Sequence, residues 1–326
     1  MTIDIAAATP ADLRARPRIA LSVEDLIGNT PLIDLTATSH PGARLLAKVE
    51  AANPLSSVKD RAAVAMLDGA ERAGRLVPGK STVVEATSGN TGIALAALAS
   101  VRGYRCIVVM PDTATPERVS MLRLLGARVV LTPAAQRLQG AIDAALHLCE
   151  VTPDSWFCAQ HLNPDNPRAH EETTGPEIWR DCQGVVDVLV AGVGTGGTLS
   201  GTARYLRRQN PDLHVVAVEP YGSPVLSTGV GGTHAIAGLN GGFVAPTTDV
   251  DLIDEVLTVT DARAREAART LAREHALVVG VSSGAAMAAA RTVAARAHLI
   301  GKTVVTILPD TGERYLSLWT QEQADV

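Results

Sequence analysis

Short apolar runs alternate with helix-like stretches along most of the chain, and this alternation predicts repeated strand–helix units. Valine-rich runs that predict strands include 82–86, 106–110 and 303–308. They are nearly continuous in apolar residues, which is typical of parallel strands that are covered on both faces. The repeated alternation therefore predicts a doubly wound α/β architecture.

The same pattern gives approximate bounds for the individual elements. Strands are predicted at 32–35, 45–49, 82–86, 106–110, 128–131, 185–191, 214–218 and 303–308. Helices are predicted at 62–73, 93–101, 139–149, 199–208 and 261–275, with two more that begin near Thr115 and Gly284. Thr115 is a favourable N-cap because Pro116 follows it at the first helical position.

Two segments lack a clear helix or strand period. Residues 163–176 are polar and contain three prolines, so we expect a long connection between layers. Residues 222–246 are rich in glycine, and their length favours a functional loop over a simple connection.

Composition narrows the class of protein. A chain of 326 residues, with 46% hydrophobic and 19% charged residues, has room for two domains and is typical of a soluble protein. A net charge of -5 argues against nucleic acid or an anionic membrane as a partner. The chain contains neither an apolar run of about 18 residues nor a signal-peptide h-region near its start. We therefore expect a cytoplasmic protein.

Cysteine and histidine usage argues against a metal centre. The four cysteines show no CxxC spacing, which favours reduced thiols over a disulfide framework or a zinc site. The eight histidines are scattered along the chain. Metal catalysis therefore has no support in the sequence.

A glycine-rich turn, 192–198, lies between a predicted strand and a predicted helix. Gly192, Gly194 and Gly197 satisfy the dinucleotide-binding pattern G-x-G-x-x-G, and Glu219 lies where a ribose-binding acid is expected. An NAD-dependent dehydrogenase is therefore one interpretation. The same glycines can present backbone N–H groups to any phosphate.

Lys59 lies where a polar loop leads into the helical pattern that begins at residue 62. Most lysines are solvated surface residues. A lysine at a loop that borders a cleft can instead be an amine nucleophile that forms a Schiff base with a carbonyl cofactor. Its surroundings in the fold decide between these interpretations.

Six segments, taken in order, resemble the cysteine synthase (O-acetylserine sulfhydrylase) family of fold-type II pyridoxal-phosphate enzymes. Ser-Val-Lys-Asp-Arg around Lys59 resembles the Schiff-base segment of that family. The loop Thr-Ser-Gly-Asn-Thr-Gly resembles its substrate-carboxylate loop, and Gly-Thr-Gly-Gly-Thr its phosphate loop. The segments are 27–32, 54–61, 87–92, 194–198, 280–285 and 308–315.

The resemblance implies two doubly wound domains, as in the β subunit of tryptophan synthase, with the cofactor in the cleft between them. The larger domain, which binds the cofactor phosphate, is expected to comprise residues 1–52 and 161–326. Residues 53–160 are expected to form a smaller, mobile domain that carries the substrate loop. Its closure would exclude water from the reacting groups.

The resemblance also implies roles for individual residues. Lys59 would be the catalytic residue, holding pyridoxal 5′-phosphate as a Schiff base and moving the Cα proton. The other expected cofactor-binding residues are Asn90, which would contact the ring hydroxyl; Gly194, Thr195, Gly196, Gly197 and Thr198, which would bind the phosphate; and Ser282, which would meet the pyridine nitrogen. The expected substrate-binding residues are Thr87, Ser88, Thr91 and Gln160.

The implied reaction is a two-stage β-replacement. O-acetyl-L-serine would lose acetate to give an α-aminoacrylate, and sulfide would add to form L-cysteine. Cystathionine β-synthase and O-phosphoserine sulfhydrylase are related alternatives. The resemblance further implies a homodimer and a possible complex with serine acetyltransferase.

Three departures from the family pattern stand out, and the last two of them border the substrate side. Ala86 replaces a proline, His161 a phenylalanine, and Asn240 lies in an altered glycine segment. The donor or the nucleophile can therefore differ from those of typical relatives. The segment 221–224 lacks the arginine of phosphoserine-using relatives, which favours O-acetylserine as the donor.

Overall fold

The structure is a computed structural model that describes residues 19–36 and 42–316. Its strands form two separate β-sheets. Residues 1–18, 37–41 and 317–326 of the predicted larger domain lie outside the described residues. Neighbouring strands are parallel in both sheets, except that β1 runs antiparallel to β2. The doubly wound α/β architecture predicted from the apolar pattern is confirmed. The described strands are β1 (Leu32–Asp34), β2 (Arg44–Val49), β3 (Thr82–Ala86), β4 (Arg105–Pro111), β5 (Arg128–Thr132), β6 (Ser155–Phe157), β7 (Val188–Gly192), β8 (His214–Pro220), β9 (Glu255–Val259) and β10 (Thr303–Leu308).

The larger sheet has six strands in the order β1-β2-β10-β7-β8-β9, and the smaller has four in the order β5-β4-β3-β6. Helices cover the faces of these sheets. The described α-helices are α1 (Lys59–Arg72), α2 (Asn90–Val101), α3 (Pro116–Leu124), α4 (Arg137–Val151), α5 (Asp165–Ala169), α6 (Gly175–Asp181), α7 (Gly197–Gln209), α8 (Val225–Thr228), α9 (Asp261–His275) and α10 (Val281–Ala294).

The central strands are apolar on both faces because each face packs against a different cluster. In β10, Val304 and Leu308 belong to one hydrophobic cluster, whereas Val305 and Ile307 belong to another. Side chains alternate across a strand, so a strand covered by helices on both sides needs apolar residues at successive positions. This packing explains the nearly continuous apolar runs in the sequence.

The prediction of an irregular connection at 163–176 is wrong. This segment forms α5, a π-helical turn at His170–Thr174 and the start of α6. Pro167 and Pro176 lie in the first turns of their α-helices, where a missing backbone N–H costs little. The prolines therefore mark helix starts in this part of the chain.

Three further predictions about element boundaries need correction. Strand β7 begins at Val188 rather than at Val185, because residues 185–187 complete a turn after α6. Helix α10 begins at Val281 rather than near Gly284, so Ser282 lies within its first turn. Thr115 does precede α3, with Pro116 first in the helix, but the Thr115 side chain makes no capping hydrogen bond.

Within the ranges 19–36 and 42–316, none of the helices is both long enough and apolar enough to cross a membrane.

Candidate active site

The carboxyl ends of parallel strands from both sheets face one cavity. Strands β2, β10 and β7 are neighbours in the larger sheet, and β3 and β6 are neighbours in the smaller one. The loops that follow neighbouring parallel strands emerge at the same edge, which is where ligands bind in open α/β sheets. The cavity between these loops has a volume of about 240 Å³. The residues predicted from the sequence that line it are Lys59, Thr87, Ser88, Asn90, Gln160, Gly194 and Thr195.

Lys59 is the first residue of α1, and backbone contacts fix the approach to it. The Val58 amide donates to the Pro309 carbonyl at 2.8 Å, which ties this segment to the end of β10. The buried Asp60 carboxylate accepts from the Leu55 amide at 2.7 Å. These contacts order the polar loop, so the lysine side chain enters the cavity from a rigid helix start.

The Lys59 amine has an unusual electrostatic environment. In the part of the chain that the structure describes, no hydrogen bond is found from the Lys59 side chain. Burial lowers the pKa of Lys59 to about 8, against the opposing effect of the negative charge on Asp310. A larger fraction of this amine is therefore neutral near pH 7 than of an ordinary lysine, as a nucleophile or base requires.

The glycine-rich turn forms an anion-binding cradle between β7 and α7. Among residues 19–36 and 42–316, no hydrogen-bond partner is found for the backbone N–H groups of residues 194–198. These N–H groups lie at the N-terminus of α7, whose dipole favours negative charge. The Thr195 hydroxyl accepts from Asn166 Nδ2 at 3.0 Å, which anchors one side of the turn.

Close packing requires glycine in this turn. Gly196 has a φ of +78°, and a Cβ there would lie 2.7 Å from the Thr248 Cα. A Cβ on Gly197 would lie 2.6 Å from Asn166 Cγ. The turn is therefore held tightly against its neighbours from behind, with its N–H groups left for a ligand.

The substrate loop predicted at 87–91 connects β3 to α2 and is ordered from within. The Thr87 hydroxyl accepts from the Gly89 amide at 3.1 Å, and the Thr91 hydroxyl donates to Gln160 Oε1 at 2.6 Å. Gln160 follows β6, which pairs with β3, so the two segments meet although they are 69 residues apart. Thr91 itself lies behind the residues that line the cavity.

Asn90 is held by the segment that follows β10. Its Nδ2 donates to Asp310 Oδ2 at 2.7 Å, and its Oδ1 accepts from Arg314 Nη1 at 2.5 Å. The Tyr315 hydroxyl donates to the same Asp310 oxygen at 2.6 Å. The amide therefore has one fixed orientation, set by residues more than 200 positions away in the chain.

Four predicted cofactor residues lie just outside the cavity wall. Gly196, Gly197, Thr198 and Ser282 are absent from its lining. The Thr198 hydroxyl lies 3.3 Å from His170 Nε2. Ser282 is buried, and its Oγ lies 3.4 Å from where a Cβ on the cavity-lining Gly238 would be. The cavity thus brings together the lysine, the substrate loop and the near side of the cradle.

Glu219, the acidic residue that the dinucleotide-binding interpretation requires, already forms hydrogen bonds within the protein. Glu219 is fully buried, and its carboxylate accepts from the backbone amides of Leu226 and Ser227 at 2.8 and 3.0 Å. It also accepts from the Ser227 hydroxyl. Glu219 therefore stabilises the start of α8 and does not present its carboxylate to a ribose.

Sequence reasoning missed two residues that shape the site. Asp310 is a buried carboxylate whose Oδ1 lacks a hydrogen-bond partner within the described residues, and its position after β10 was an available signal. His170 is fully buried behind the cradle, and burial lowers its pKa well below the usual range. No local pattern marks His170, because its helical turn was predicted to be irregular.

The two substrate-side departures have different explanations. Asn240 is buried and exchanges side-chain hydrogen bonds with Ser223, so it organises a turn. His161 lines the cavity, and burial, assisted by the charge on Lys59, lowers its pKa to about 4. Its imidazole is therefore neutral at physiological pH.

Within residues 19–36 and 42–316, no group of three or more His, Cys, Asp or Glu side chains is arranged to hold a metal ion.

Known proteins are similar to this chain in sequence and in fold. Cysteine synthase 3 of Caenorhabditis elegans is 46% identical over 303 residues, which cover 93% of this chain and 89% of that protein. Cysteine synthase A of Escherichia coli K12 is 45% identical over 300 residues, which cover 89% and 92%. The crystal structure of an O-ureido-L-serine synthase matches with a TM-score of 0.88 and 40% identity, covering 92% of this chain and 94% of that one.

A family model described as "pyridoxal-phosphate dependent enzyme" matches residues 23–310, which include the lysine, the substrate loop, the cradle and Asp310. The chain belongs to this family of pyridoxal-phosphate-dependent enzymes.

Proposed function

We propose that this protein is a cysteine synthase that converts O-acetyl-L-serine and sulfide into L-cysteine and acetate. The observation that carries the proposal is the placement of Lys59. Its amine, with a pKa of about 8, shares one cavity with an unpaired anion cradle and a loop able to bind a carboxylate. In the reaction the Cβ–O bond to acetate breaks and a Cβ–S bond forms.

The residues present fit pyridoxal phosphate. The free N–H groups of residues 194–198 match a phosphate monoester, and Lys59 can hold the carbonyl carbon. Asn90 has one amide hydrogen left after its bond to Asp310, and the Ser282 hydroxyl lies behind Gly238. When bound, the cofactor supplies an electrophilic carbonyl and a ring that accepts electron density from Cα.

Lys59 is the proton carrier in this proposal. Once the amine is free, its neutral form takes the proton from the donor Cα, and after sulfide has added it returns a proton to the same carbon. Its lowered pKa keeps both protonation states accessible near neutral pH. The rigid start of α1 keeps the amine within reach of Cα throughout.

The loop at 87–91 would bind the donor carboxylate. Its backbone N–H groups lie at the N-terminus of α2, and Gln160 closes the other side through its bond with Thr91. A donor held at both its carboxylate and its Cα presents Cβ in one orientation. That orientation favours loss of a leaving group at Cβ.

Four broader assignments belong to the same proposal. The enzyme works in the cytoplasm as a homodimer, and a serine acetyltransferase binds to it. Residues 1–52 and 161–326 form the larger domain, whereas residues 53–160 form the smaller, mobile one. The division into domains is supported by sheet membership, because the strands of the four-stranded sheet all lie between residues 82 and 157.

Light scattering tests the proposed homodimer, for which twice the chain mass of 33.9 kDa is expected.

A spectroscopic and product assay tests the function. The purified enzyme should show a visible absorption band from bound pyridoxal phosphate, and this band should change when O-acetylserine is added. Sulfide should then restore it, with one cysteine and one acetate formed per turnover. A colourless protein that binds NAD would overturn the proposal. A spectral response to O-phosphoserine but not to O-acetylserine would show that the donor is wrong.

Replacing Gly196 by alanine should weaken binding of pyridoxal phosphate about 10- to 100-fold. The new Cβ would occupy a left-handed backbone position and press against Thr248, so the cradle must shift. Equilibrium dialysis measures the affinity. Gly229→Ala is the matched control, because Gly229 also has a positive φ but lies in open space. Equal losses in both variants would contradict the packing argument.

The rate at which pyridoxal phosphate attaches to the cofactor-free protein should rise with pH and level off above about pH 8. Only the neutral amine of Lys59 can attack a carbonyl, and with a pKa of about 8 its neutral fraction falls about tenfold per pH unit below that value. Stopped-flow absorbance at pH 6 to 10 measures the profile. A rate that keeps rising toward pH 10 would indicate an unshifted lysine.

A further inference from the structure

Asn166, the second residue of α5, does not line the cavity that contains Lys59, but it hydrogen-bonds two residues that do. Its side chain is buried, and its amide nitrogen, Nδ2, donates both bonds. One bond, of 2.9 Å, goes to the Gln160 backbone carbonyl, and the other, of 3.0 Å, goes to the Thr195 hydroxyl. Asn166 therefore joins a residue of the proposed substrate site to a residue of the proposed phosphate site.

The chemistry of these partners fixes the direction of both bonds. A backbone carbonyl oxygen can only accept, so the Asn166 atom that faces Gln160 is the amide nitrogen. The same nitrogen faces Thr195, so the Thr195 hydroxyl oxygen accepts. Within the part of the chain that the structure describes, no acceptor is found for the hydrogen of that hydroxyl. Because Thr195 lines the cavity, this hydrogen is left for a ligand there.

Packing on both sides fixes the place of Asn166. The Asn166 backbone amide donates to the Asn163 carbonyl at 3.1 Å, and the neighbouring Asp165 carboxylate fills the space beside Gly69 of α1. On the other side, a Cβ on Gly197 would lie 2.2 Å from Asn166 Oδ1. That oxygen is buried and has no hydrogen-bond partner among residues 19–36 and 42–316, which costs stability. The side chain therefore contributes through its nitrogen.

We propose that Asn166 is a positioning residue that makes the Thr195 hydroxyl a donor toward the cofactor phosphate and, through Gln160, connects that site to the substrate loop. This inference rests on the proposed function, since it takes pyridoxal phosphate as the ligand of the cavity. A phosphate dianion has only acceptor oxygens, so a hydroxyl helps to bind it only when its own hydrogen is free. Gln160 Oε1 accepts from the Thr91 hydroxyl at 2.6 Å, which completes the connection.

Cofactor binding with and without the phosphate tests the proposal. Equilibrium dialysis of the cofactor-free protein gives affinities for pyridoxal phosphate and for pyridoxal, which lacks the phosphate. Asn166→Leu removes the amide at similar volume and lets the Thr195 hydroxyl rotate, so the preference for pyridoxal phosphate over pyridoxal should fall about 5- to 20-fold. An unchanged preference would overturn the inference. If the unaltered protein does not bind pyridoxal phosphate, the proposed function itself is wrong.

A double-substitution cycle assigns the effect to the hydroxyl. In a Thr195→Val background there is no hydroxyl to orient, so Asn166→Leu should change the preference for pyridoxal phosphate by less than about twofold. Additive losses from the two substitutions would contradict the proposed role of Asn166 toward Thr195.

Asn163→Leu is the matched control for general damage to this segment. Asn163 is also buried, and its side-chain amide bonds the Cys158 carbonyl and the Asp165 backbone amide, each at 3.0 Å. Neither bond reaches the cradle, so this variant should be less stable yet keep the preference for pyridoxal phosphate. A fall equal to that in Asn166→Leu would show that the effect is not specific to Asn166.

Asn166→Asp gives a second readout if the leucine variant folds poorly. Aspartate has the shape of asparagine, but an ionised carboxylate accepts the Thr195 hydrogen and withdraws it from the phosphate. The preference for pyridoxal phosphate should therefore fall by at least about 20-fold. A preference equal to that of the unaltered protein would contradict the assignment of Thr195 as a donor.

The connection to the substrate loop has its own readout. Loss of the Asn166 bond frees the Gln160 carbonyl, so Asn166→Leu saturated with pyridoxal phosphate should show a KM for O-acetylserine raised about 3- to 10-fold, with a smaller change in kcat. An unchanged KM would contradict the connection through Gln160.

Discussion

Replacing Lys59 by alanine should abolish the visible absorption band and lower cysteine formation by more than about 10³-fold. The lysine combines two tasks, because its amine holds the cofactor carbonyl and moves the Cα proton. No other lysine lines the cavity, so no second amine is placed to substitute within the part of the chain that the structure describes. Absorbance spectra and initial rates of the purified variant measure both losses.

Two comparisons separate this chemistry from a general effect of losing a lysine. Lys80→Ala removes a lysine whose side chain is 63% exposed, and it should change neither readout. Lys59→Arg keeps a positive charge at the site but has no amine nucleophile, so it should fail as the alanine variant does. Near-normal turnover in Lys59→Ala would exclude this residue from the reaction.

Removing the Glu177 carboxylate should cost about 3–5 kcal/mol of unfolding free energy. The carboxylate accepts from both terminal nitrogens of Arg61, at 2.7 and 2.8 Å, and lies 2.9 Å from Lys48 Nζ. All three residues are buried, so Glu177→Ala leaves two buried cations with Glu50 as the remaining carboxylate in contact with Arg61. Equilibrium urea unfolding measures the loss.

The control is a glutamate in a similar pair at the surface. Glu172 lies 3.7 Å from Arg168, and its side chain is 65% exposed. Glu172→Ala should therefore change stability by less than about 1 kcal/mol. Glu177→Gln keeps the shape without the charge and should still be strongly destabilised. Equal effects at residues 172 and 177 would contradict the importance of burial.

The pH dependence of this network follows from the same geometry. Burial alone would raise the pKa of Glu177, but hydrogen bonds and charges from Arg61 and Lys48 lower it to about 2. A carboxylate with a depressed pKa stabilises the folded state above its ordinary pKa, near 4.5. Its contribution should be complete at neutral pH and be lost as the pH falls from about 4.5 toward 2.

The ion pairs of Glu177 also connect the helix that carries Lys59 to the rest of the fold. Arg61 lies two residues after Lys59 in α1, whereas Lys48 belongs to β2 and Glu177 to α6. The buried ion pairs therefore join the lysine-bearing helix to the six-stranded sheet and to α6.

Much of the architecture is encoded locally. Strand β10 and helix α9 have the bounds that their apolar patterns predict, because burial on both faces or on one face sets those patterns directly. The glycine-rich turn at 192–198 is also predictable from the sequence, because a backbone that packs closely against its neighbours needs residues without a side chain. The local sequence pattern of that turn is compatible with two ligands, a dinucleotide and a phosphate monoester.

Tertiary structure decided what no local pattern contains. The orientation of the Asn90 amide depends on Asp310 and Arg314, and burial within the folded chain lowers the pKa of Lys59. Glu219 matches a dinucleotide pattern in sequence, but folding commits its carboxylate to the start of α8. The contacts of Asn90 join residues more than 200 positions apart, so its fixed orientation exists only once the strands have brought their loops to one edge.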